Sequence, residues 1–278
     1  MTHPYNGVSV ALATKHHKER LILPAFSELN IALSVVDFDT DTLGTFSGEI
    51  ERAVSAFETV KKKARIGIEK SGLPIGIASE GSFAQDPQIP LLHSNIELLA
   101  WIDTTRDLEI VESYRTFEIA ALRQEIKPDD NLSTILCEAK FPSHALLVRT
   151  PGTEQRLIYK GLQDEESLRN ALEKCWEIYP VAIIENDLRA HFNPTRQIAI
   201  RAVAEKLAAR LKELCVECQS PGFGVIDLLK GLECSSCGQW NEQYPAGEIL
   251  GCMKCNHRRE ARLAQRNIDP AHCNFCNP

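Results

Sequence analysis

The segment from Cys215 to Cys276 contains four Cys-x-x-Cys motifs: CVEC at 215–218, CSSC at 234–237, CMKC at 252–255 and CNFC at 273–276. The two thiolates of one motif can reach the same tetrahedral ion from a tight turn, and a second motif completes a shell of four. The four motifs, numbered first to fourth below, therefore predict two zinc ions. Because a closed four-thiolate shell has no open position for water, we expect both metals to be structural.

Spacing alone leaves the pairing of the four motifs open. Nested pairing is preferred, because fourteen residues separate the second motif from the third, close to the usual ribbon spacing, and Gly238 and Gly251 adjoin them as tight turns require. The first and fourth motifs would then form an outer site, and sequential pairing is the rival. In either scheme the predicted ligands are Cys215, Cys218, Cys234, Cys237, Cys252, Cys255, Cys273 and Cys276.

A disulfide-stapled secreted module is the other interpretation of so many cysteines. It is disfavoured because the chain is long, shows no apolar secretory segment near Met1, and has Cys137 and Cys175 in apolar contexts. No stretch approaches the roughly 20 apolar residues of a membrane span. We expect a protein of the reduced cytoplasm that does not interact with membranes.

Length and composition predict two domains. The 278 residues, 44% of them hydrophobic, can form one sizeable core and a small appended module. We place an α/β domain at residues 1–214 and a zinc-ribbon module at residues 215–278. The net charge of -7 argues against a wide electrostatic surface for nucleic acid, although the basic run at 257–262 in the module could contact phosphate.

Hydrophobic patterns predict a mixed sheet with flanking helices in the first domain. Apolar strands are predicted at 8–13, 31–38 and 73–78, and an amphipathic helix from about residue 48 to 70. Two paired strands at 96–103 and 108–115 follow. Further α/β-like units at 145–184 lead into a long helix that begins near Pro194.

Three polar clusters lie near predicted strand ends, where ligands of α/β sheets usually bind. The first extends from Thr14 through Lys15 to Lys18, and its hydroxyl and lysines suit a phosphate chain. The alternative is a solvated turn. The second cluster could hold Mg²⁺ and neutralise phosphate. The alternative is that its acids only complement a helix dipole and that the lysines at 61–63 form a surface run. Its members are Glu49, Glu51, Arg52, Lys63, Arg65, Glu80, Gly81 and Ser82.

The third cluster covers residues 185–196 and follows a predicted apolar strand. It combines carboxylates, an imidazole, amides and guanidinium groups before one helix, more than capping and one ion pair require. Its candidate ligands or catalysts are Asp187, Arg189, His191, Asn193 and Arg196. If the three clusters lie beyond strand ends of one sheet, they should line a common cleft.

The order of these residues resembles the house-cleaning nucleoside triphosphatases of the inosine/xanthosine triphosphatase and Maf-like fold. Those proteins open with a strand and an Ala-Thr/Ser-x-Asn-x-x-Lys loop, similar to residues 13–18 here, with histidine replacing asparagine. In that family, acidic residues precede a helix that contains Lys-Ala, as Glu49 precedes Lys63 here. A strand that ends in an acidic loop with a glycine comes next, and residues 78–82 are similar to it. The resemblance covers residues 8–118, and residues 185–196 have no counterpart in it.

This resemblance implies Mg²⁺-dependent attack of water on a nucleotide phosphate, with Glu80 and Glu49 as metal ligands or base. The whole chain, including residues 221–224 and 273–278, also resembles an uncharacterised bacterial domain family that has no assigned activity. We therefore predict a hydrolase of nucleotide phosphates or a related phosphate ester. The alternative is a non-enzymatic adaptor whose zinc module binds a protein or nucleic-acid partner.

Overall fold

The computed structural model describes residues 2–14, 17–38, 54–152, 155–264 and 267–278. The sequence predictions for Lys15, Glu49, Glu51 and Arg52 lie outside these residues. No helix in the described ranges has both the length and the apolar character needed to cross a membrane.

The first sheet is mixed and has the strand order β2-β1-β3-β4-β5. β1 runs parallel to both of its neighbours, β2 and β3, and its residues from Val10 onward are buried. β3, β4 and β5 form antiparallel hairpins. The strands are β1 (Ser9–Ala13), β2 (Ala32–Val36), β3 (Ile75–Gln85), β4 (His93–Asp103) and β5 (Leu108–Thr116).

Helices cover both faces of this sheet. α2 (Ala56–Ser71) begins at the Ser55 cap and ends at Gly72, whose φ of 71° suits a left-handed C-cap. Its apolar stripe packs on Ala78, Leu98 and Ala100. The opposite face is covered by α1 (Glu19–Ile22), the 3-10 turn Leu23–Leu29 and the long α5 (Pro194–Lys212). There the core includes Trp101, Phe26, Ile77, Val203 and Leu207.

β3 is longer than the sequence predicts. The pattern indicates a strand that ends before Ser79, with Glu80 in the following loop. In the structure β3 continues to Gln85, because β4 pairs with it along its whole length. Glu80 therefore lies within a strand, and the prediction of a loop at the strand end before residue 80 is wrong.

A second, antiparallel sheet follows, with the order β6-β9-β7-β8. α3 (Leu132–Glu138) and α4 (Glu165–Trp176) belong to this part of the chain, and α4 packs on the sheet. The expected α/β units are found, but β8 is an additional strand, and β7 runs antiparallel between β8 and β9. The strands are β6 (Arg123–Ile126), β7 (Leu146–Arg149), β8 (Ile158–Leu162) and β9 (Ala182–Asn186).

The third sheet contains the cysteine motifs and has the order β12-β11-β10-β13. Its centre is the long hairpin of β10 (Gly224–Cys234) and β11 (Trp240–Gly251), flanked by β12 (Arg258–Arg262) and β13 (Asn267–Ile268). The molecule is thus a mixed α/β protein with several sheets, which confirms the coarse fold prediction. The triphosphatase-like arrangement remains a prediction.

Candidate metal centres and a buried charge cluster

The eight motif cysteines form two groups of four. Site I combines the first and third motifs, Cys215, Cys218, Cys252 and Cys255. Site II combines the second and fourth, Cys234, Cys237, Cys273 and Cys276. The pairing is crossed, so the preferred nested scheme and its sequential rival are both wrong.

The β10–β11 hairpin explains the crossed pairing. Cys234 ends β10 at the turn, whereas Cys252 follows β11 at the opposite end of the ladder, where Gly224 pairs with Gly251. At about 3.4 Å per residue, the two motifs are on the order of 30 Å apart. Each therefore needs another partner: the first motif follows α5 near Gly224, and β13 brings the fourth beside Cys234.

The sulfur spacing fits zinc and excludes disulfides. The closest Sγ–Sγ distances are 3.5 Å and 3.7 Å in site I, and 3.7 Å and 3.8 Å in site II. A disulfide requires about 2.05 Å. Sulfurs about 2.3 Å from one tetrahedral ion are separated by about 3.8 Å. Both donor sets could thus hold a zinc ion.

Hydrogen bonds and burial act on the cysteine sulfurs in opposite directions, and burial raises the pKa of Cys252 although two backbone N–H groups donate to its sulfur. The backbone N–H groups of Lys254 and Cys255 donate to Cys252 Sγ at 3.3 Å and 3.4 Å. In site II, burial opposes ionisation, but backbone N–H groups of Phe275 and Cys276 still lower the pKa of Cys273 to about 6. Hydrogen bonds to Cys237 and Cys234 raise the pKa of Cys276 to about 12. Four thiolates at this spacing require a cation.

Site I rests against the first sheet. Cys215 is buried three residues after the end of α5. Lys254 Nζ donates to the carbonyl of Arg106 at 2.6 Å, and Gly222, with φ of 89°, lies against Ile110. Arg210 of α5 joins both parts, because it donates to Gly222 O at 3.1 Å and to Glu112 Oε1 at 2.7 Å.

Five ionisable side chains form a second feature, the buried charge cluster, around β3 and the end of β1. Each has at most 8% of its surface exposed. The members are Lys18, Lys63, Glu80, Glu97 and Arg196. On the α2 face, Lys63 Nζ lies 2.5 Å from Glu80 Oε2.

The α5 face holds the Glu97–Arg196 pair. Arg196 Nε donates to Glu97 Oε1 at 2.6 Å, and its Nη1 donates to the carbonyl of Leu188 at 2.5 Å. Gly81 pairs with Glu97 across the strands, and a Cβ there would lie 2.5 Å from Glu97 Oε1 and 2.6 Å from Arg196 Nη2. Glycine is required because the ion pair lies directly on the backbone.

Lys18 occupies the centre of this cluster. Its Nζ donates to Ser79 Oγ at 2.8 Å and interacts electrostatically with the other four members. Burial, reinforced by the nearby Arg196 charge, lowers the pKa of Lys18 to about 7. Both protonation states are therefore accessible near neutral pH, a property common in functional sites.

The third polar cluster follows β9, a strand of the second sheet. Arg189 Nη2 contacts Asp187 Oδ2 at 2.6 Å, and the Gly161 N–H donates to the same oxygen at 3.1 Å. Asn193 caps α5 by accepting from Arg196 N at 3.0 Å. Arg196 of this group enters the buried charge cluster, and His191 interacts electrostatically with His17 of the first cluster. The common cleft for all three clusters stays a prediction.

The remaining predicted residues are dispersed. Thr14 is buried at the end of β1, and Ser82 lies within β3. Arg65 forms an ion pair with Glu109 at the surface. His191 is exposed and tilted against Phe192, with ring centroids 4.0 Å apart. Within the described ranges, the cysteine sites are the only groups of three or more His, Cys, Asp or Glu residues close enough for one metal.

Glu97 is the cluster residue that the sequence analysis missed. A signal was present, because the strand 94–102 is SNIELLAWI, and a carboxylate inside an otherwise apolar run requires a partner. The sequence did not indicate Arg196 as that partner, since the two residues are 99 positions apart.

Comparison with known proteins gives a family but no activity. No curated protein matches the chain. Among solved structures, the crystal structure of the competence-damaged protein (CinA) superfamily protein from Enterobacter cloacae is similar, with 17% identity over 40% of this chain and 68% of that chain. Its TM-score of 0.22 supports no inference about fold or function. The model of a domain of unknown function, DUF6671, matches residues 63–278, and the chain belongs to this family.

Proposed function

We propose that the protein is a hydrolase of nucleotide phosphates or a related phosphate ester. In this proposal residues 1–214 form the substrate-binding domain, residues 215–278 form a structural zinc module, and the protein acts in the cytoplasm. The observation that carries the proposal is Lys18, a buried lysine at the end of β1 whose pKa is lowered to about 7.

An anion at this strand end would stabilise the charged form of Lys18. The buried charge cluster contains three cations and two carboxylates, and the carboxylates are engaged by Lys63 and Arg196. Ser79 supplies Lys18 with a hydroxyl and a carbonyl as its hydrogen-bond acceptors. A phosphate oxygen would supply the missing negative charge, because burial strengthens charge-assisted hydrogen bonds.

Magnesium was predicted with Glu80, Glu49 or Asp187 as ligands. Glu80 pairs with Lys63, Asp187 is held by Arg189 and the Gly161 N–H, and Glu49 lies outside the described residues. The described residues therefore do not fit a Mg²⁺ site as they stand. We assign no catalytic step to this ion and test its requirement directly.

Phosphate release from a panel of nucleoside mono-, di- and triphosphates, measured on the full chain with Mg²⁺ and with EDTA, tests the function. Lys18→Met and Glu80→Gln should each lower turnover at least tenfold. Lys62→Gln on the exposed side of α2 is the control and should leave turnover unchanged. Absence of phosphate release from the whole panel under both conditions would refute the hydrolase.

An adaptor function is the second candidate, and the surface of the zinc module favours it. Trp240 and Phe275 are 48% and 66% exposed. The strand β12 presents Arg258 and Arg259 at the edge of the third sheet. The rings of Trp240 and Phe275 lie at the Cys234 end of the β10–β11 hairpin, away from the two arginines. The ring of Phe223 stacks on that of His257, which directly precedes Arg258, and aromatic rings beside arginines suit single-stranded nucleic acid. Fluorescence anisotropy with labelled oligonucleotides at increasing salt tests this, and Arg259→Gln should weaken the binding.

A further inference from the structure

A basic cavity lies between the beginning of α1 and the first turns of α5. It has a volume of about 430 Å³ and opens to solvent. Its lining consists of His17, Arg20, Leu21, His191, Gln197 and Arg201. Lys18, the central residue of the buried charge cluster, is adjacent to His17 in the chain. The cavity is therefore next to the strand end to which the proposed function assigns the substrate.

The lining of this cavity is one-sided in charge. Among the residues that the structure describes, two guanidinium groups and two imidazoles contribute to the lining, and no carboxylate does. Elsewhere in the first two sheets, arginines such as Arg115, Arg149 and Arg196 pair with acids. Within the described residues, Arg20 and Arg201 have no carboxylate within ion-pair distance, so their charge is available to a ligand.

Two contacts orient groups around the cavity. His17 has a left-handed φ of 52°, and its Nδ1 lies 3.5 Å from Glu19 Oε1. Gln197 Nε2 donates to the carbonyl of Ala190 at 3.0 Å, which fixes the amide. These contacts hold the His17 ring and the Gln197 amide at the wall of the cavity.

The two imidazoles are within electrostatic range of each other. Burial lowers the pKa of His191, and the positive charges of Arg189 and His17 lower it further, while Asp187 opposes them. The positive charges near His191 therefore disfavour its protonated form. An anion in the cavity would oppose this effect.

We propose that this cavity binds the phosphate groups of a nucleotide or related phosphate ester, held mainly by Arg20 and Arg201. The inference rests on the proposed function for its choice of ligand class. Paired guanidinium groups match phosphate because each presents a planar fork of donors to two oxygens. The volume exceeds that of one phosphate, so a diphosphate fits as well as a monophosphate.

Isothermal titration of the full chain with pyrophosphate tests the site. Arg20→Gln, Arg201→Gln and the double variant should weaken binding, by about tenfold for each lost charge-assisted contact. Arg169→Gln removes an exposed arginine from α4 and should leave the affinity unchanged. Both cavity arginines are exposed, so the variants should keep the wild-type thermal midpoint. Adenosine, which lacks phosphate, should bind none of the proteins through this cavity.

The binding readout separates this inference from the hydrolase proposal. If pyrophosphate binding is lost in the double variant but the wild type hydrolyses no nucleotide, the cavity assignment stands and the hydrolase falls. If the wild type does not bind pyrophosphate, or the double variant binds it as tightly as the wild type, the cavity assignment is overturned. If the wild type does hydrolyse nucleotides, unchanged turnover in a folded double variant would overturn the cavity assignment too.

Discussion

The cysteine sites and the buried charge cluster concentrate ionisable groups in opposite ways. Each cysteine site gathers four groups of one kind, whose negative charges need an external cation. The buried charge cluster mixes three cations with two carboxylates, and two of its ion pairs are internal. The first arrangement depends on a metal for its stability. The second depends on every partner being present, because removal of one leaves an unpaired buried charge.

Removal of the zinc ions should have the largest effect on folding, and it should affect the part of the chain that holds the cysteine sites. Structural zinc contributes on the order of 10 kcal/mol to a small module, so chelation should unfold the third sheet and leave the first two largely folded. Far-UV circular dichroism and limited proteolysis measure this. A single cooperative loss of all three sheets would instead show that the contacts of Lys254 and Gly222 with the first sheet make the module part of the main core.

The crossed pairing can be tested by one substitution. Cys252→Ser should reduce bound zinc from two ions to one and expose the thiols of Cys215 and Cys218 to alkylation, while Cys234 and Cys273 stay protected. Mass spectrometry after iodoacetamide treatment identifies the modified residues. Cys137→Ser, at an exposed cysteine outside both sites, is the control. Alkylation of Cys234 in the Cys252→Ser variant would restore the nested scheme.

Breaking the buried Glu97–Arg196 ion pair should have the next largest effect on the free energy of unfolding. Arg196→Met leaves Glu97 buried and unpaired, and should lower the free energy of unfolding by about 3–5 kcal/mol. Adding Glu97→Gln should recover part of that loss. Arg262→Met, at the exposed pair with Glu260, should cost less than about 1 kcal/mol. Urea denaturation measures all three, and equal losses in both single variants would contradict the assignment.

Lys18 should show a dependence of stability on pH. Its folded pKa of about 7 is below the ordinary value of 10.5, so the unfolded chain binds the proton more tightly. The charge of Lys18 therefore destabilises the folded state fully below pH 7, and the penalty is relieved as the pH rises toward 10. Lys18→Met should be more stable than the wild type at pH 7, and the difference should shrink by pH 10. Thermal melts in matched buffers measure it, and a constant difference would refute the lowered pKa.

The smallest effect is expected at Arg65, which sequence analysis placed among the substrate ligands. Its side chain is 46% exposed and pairs with Glu109. Arg65→Gln should change the free energy of unfolding by less than about 1 kcal/mol and leave nucleotide turnover unchanged. A tenfold loss of turnover in a fully folded variant would return Arg65 to the substrate site.

Local patterns explain what the sequence could predict. The zinc ligands could be predicted because both thiolates of a motif lie within four residues. Helix α5 could be predicted from Pro194 and its apolar positions. The partner of each motif could not be predicted, because the pairing depends on the length of the β10–β11 hairpin. Spacing along the chain says nothing about which end of a hairpin a motif occupies.

The buried charge cluster was only half predictable for a similar reason. Lys18, Lys63, Glu80 and Arg196 attracted attention as polar residues near strand ends. The extension of β3 through Glu80 depends on β4, and the partner of Arg196 comes from a strand 99 positions away. The basic cavity could not be predicted either. Arg20 and Arg201 are far apart in the chain, and each is an ordinary surface arginine when considered alone.

The crossed order of the zinc ligands has a consequence for refolding. Cys234 is less than half as far along the chain from Cys218 as Cys252 is. Each doubling of loop length adds about 0.6 kcal/mol to the entropy cost of closure, so an unfolded chain that meets zinc early closes the shorter, non-native loop more readily. The native ligand set becomes accessible only once the β10–β11 hairpin has separated the second and third motifs. Zinc supplied before that step should trap misligated chains, and zinc supplied after it should not.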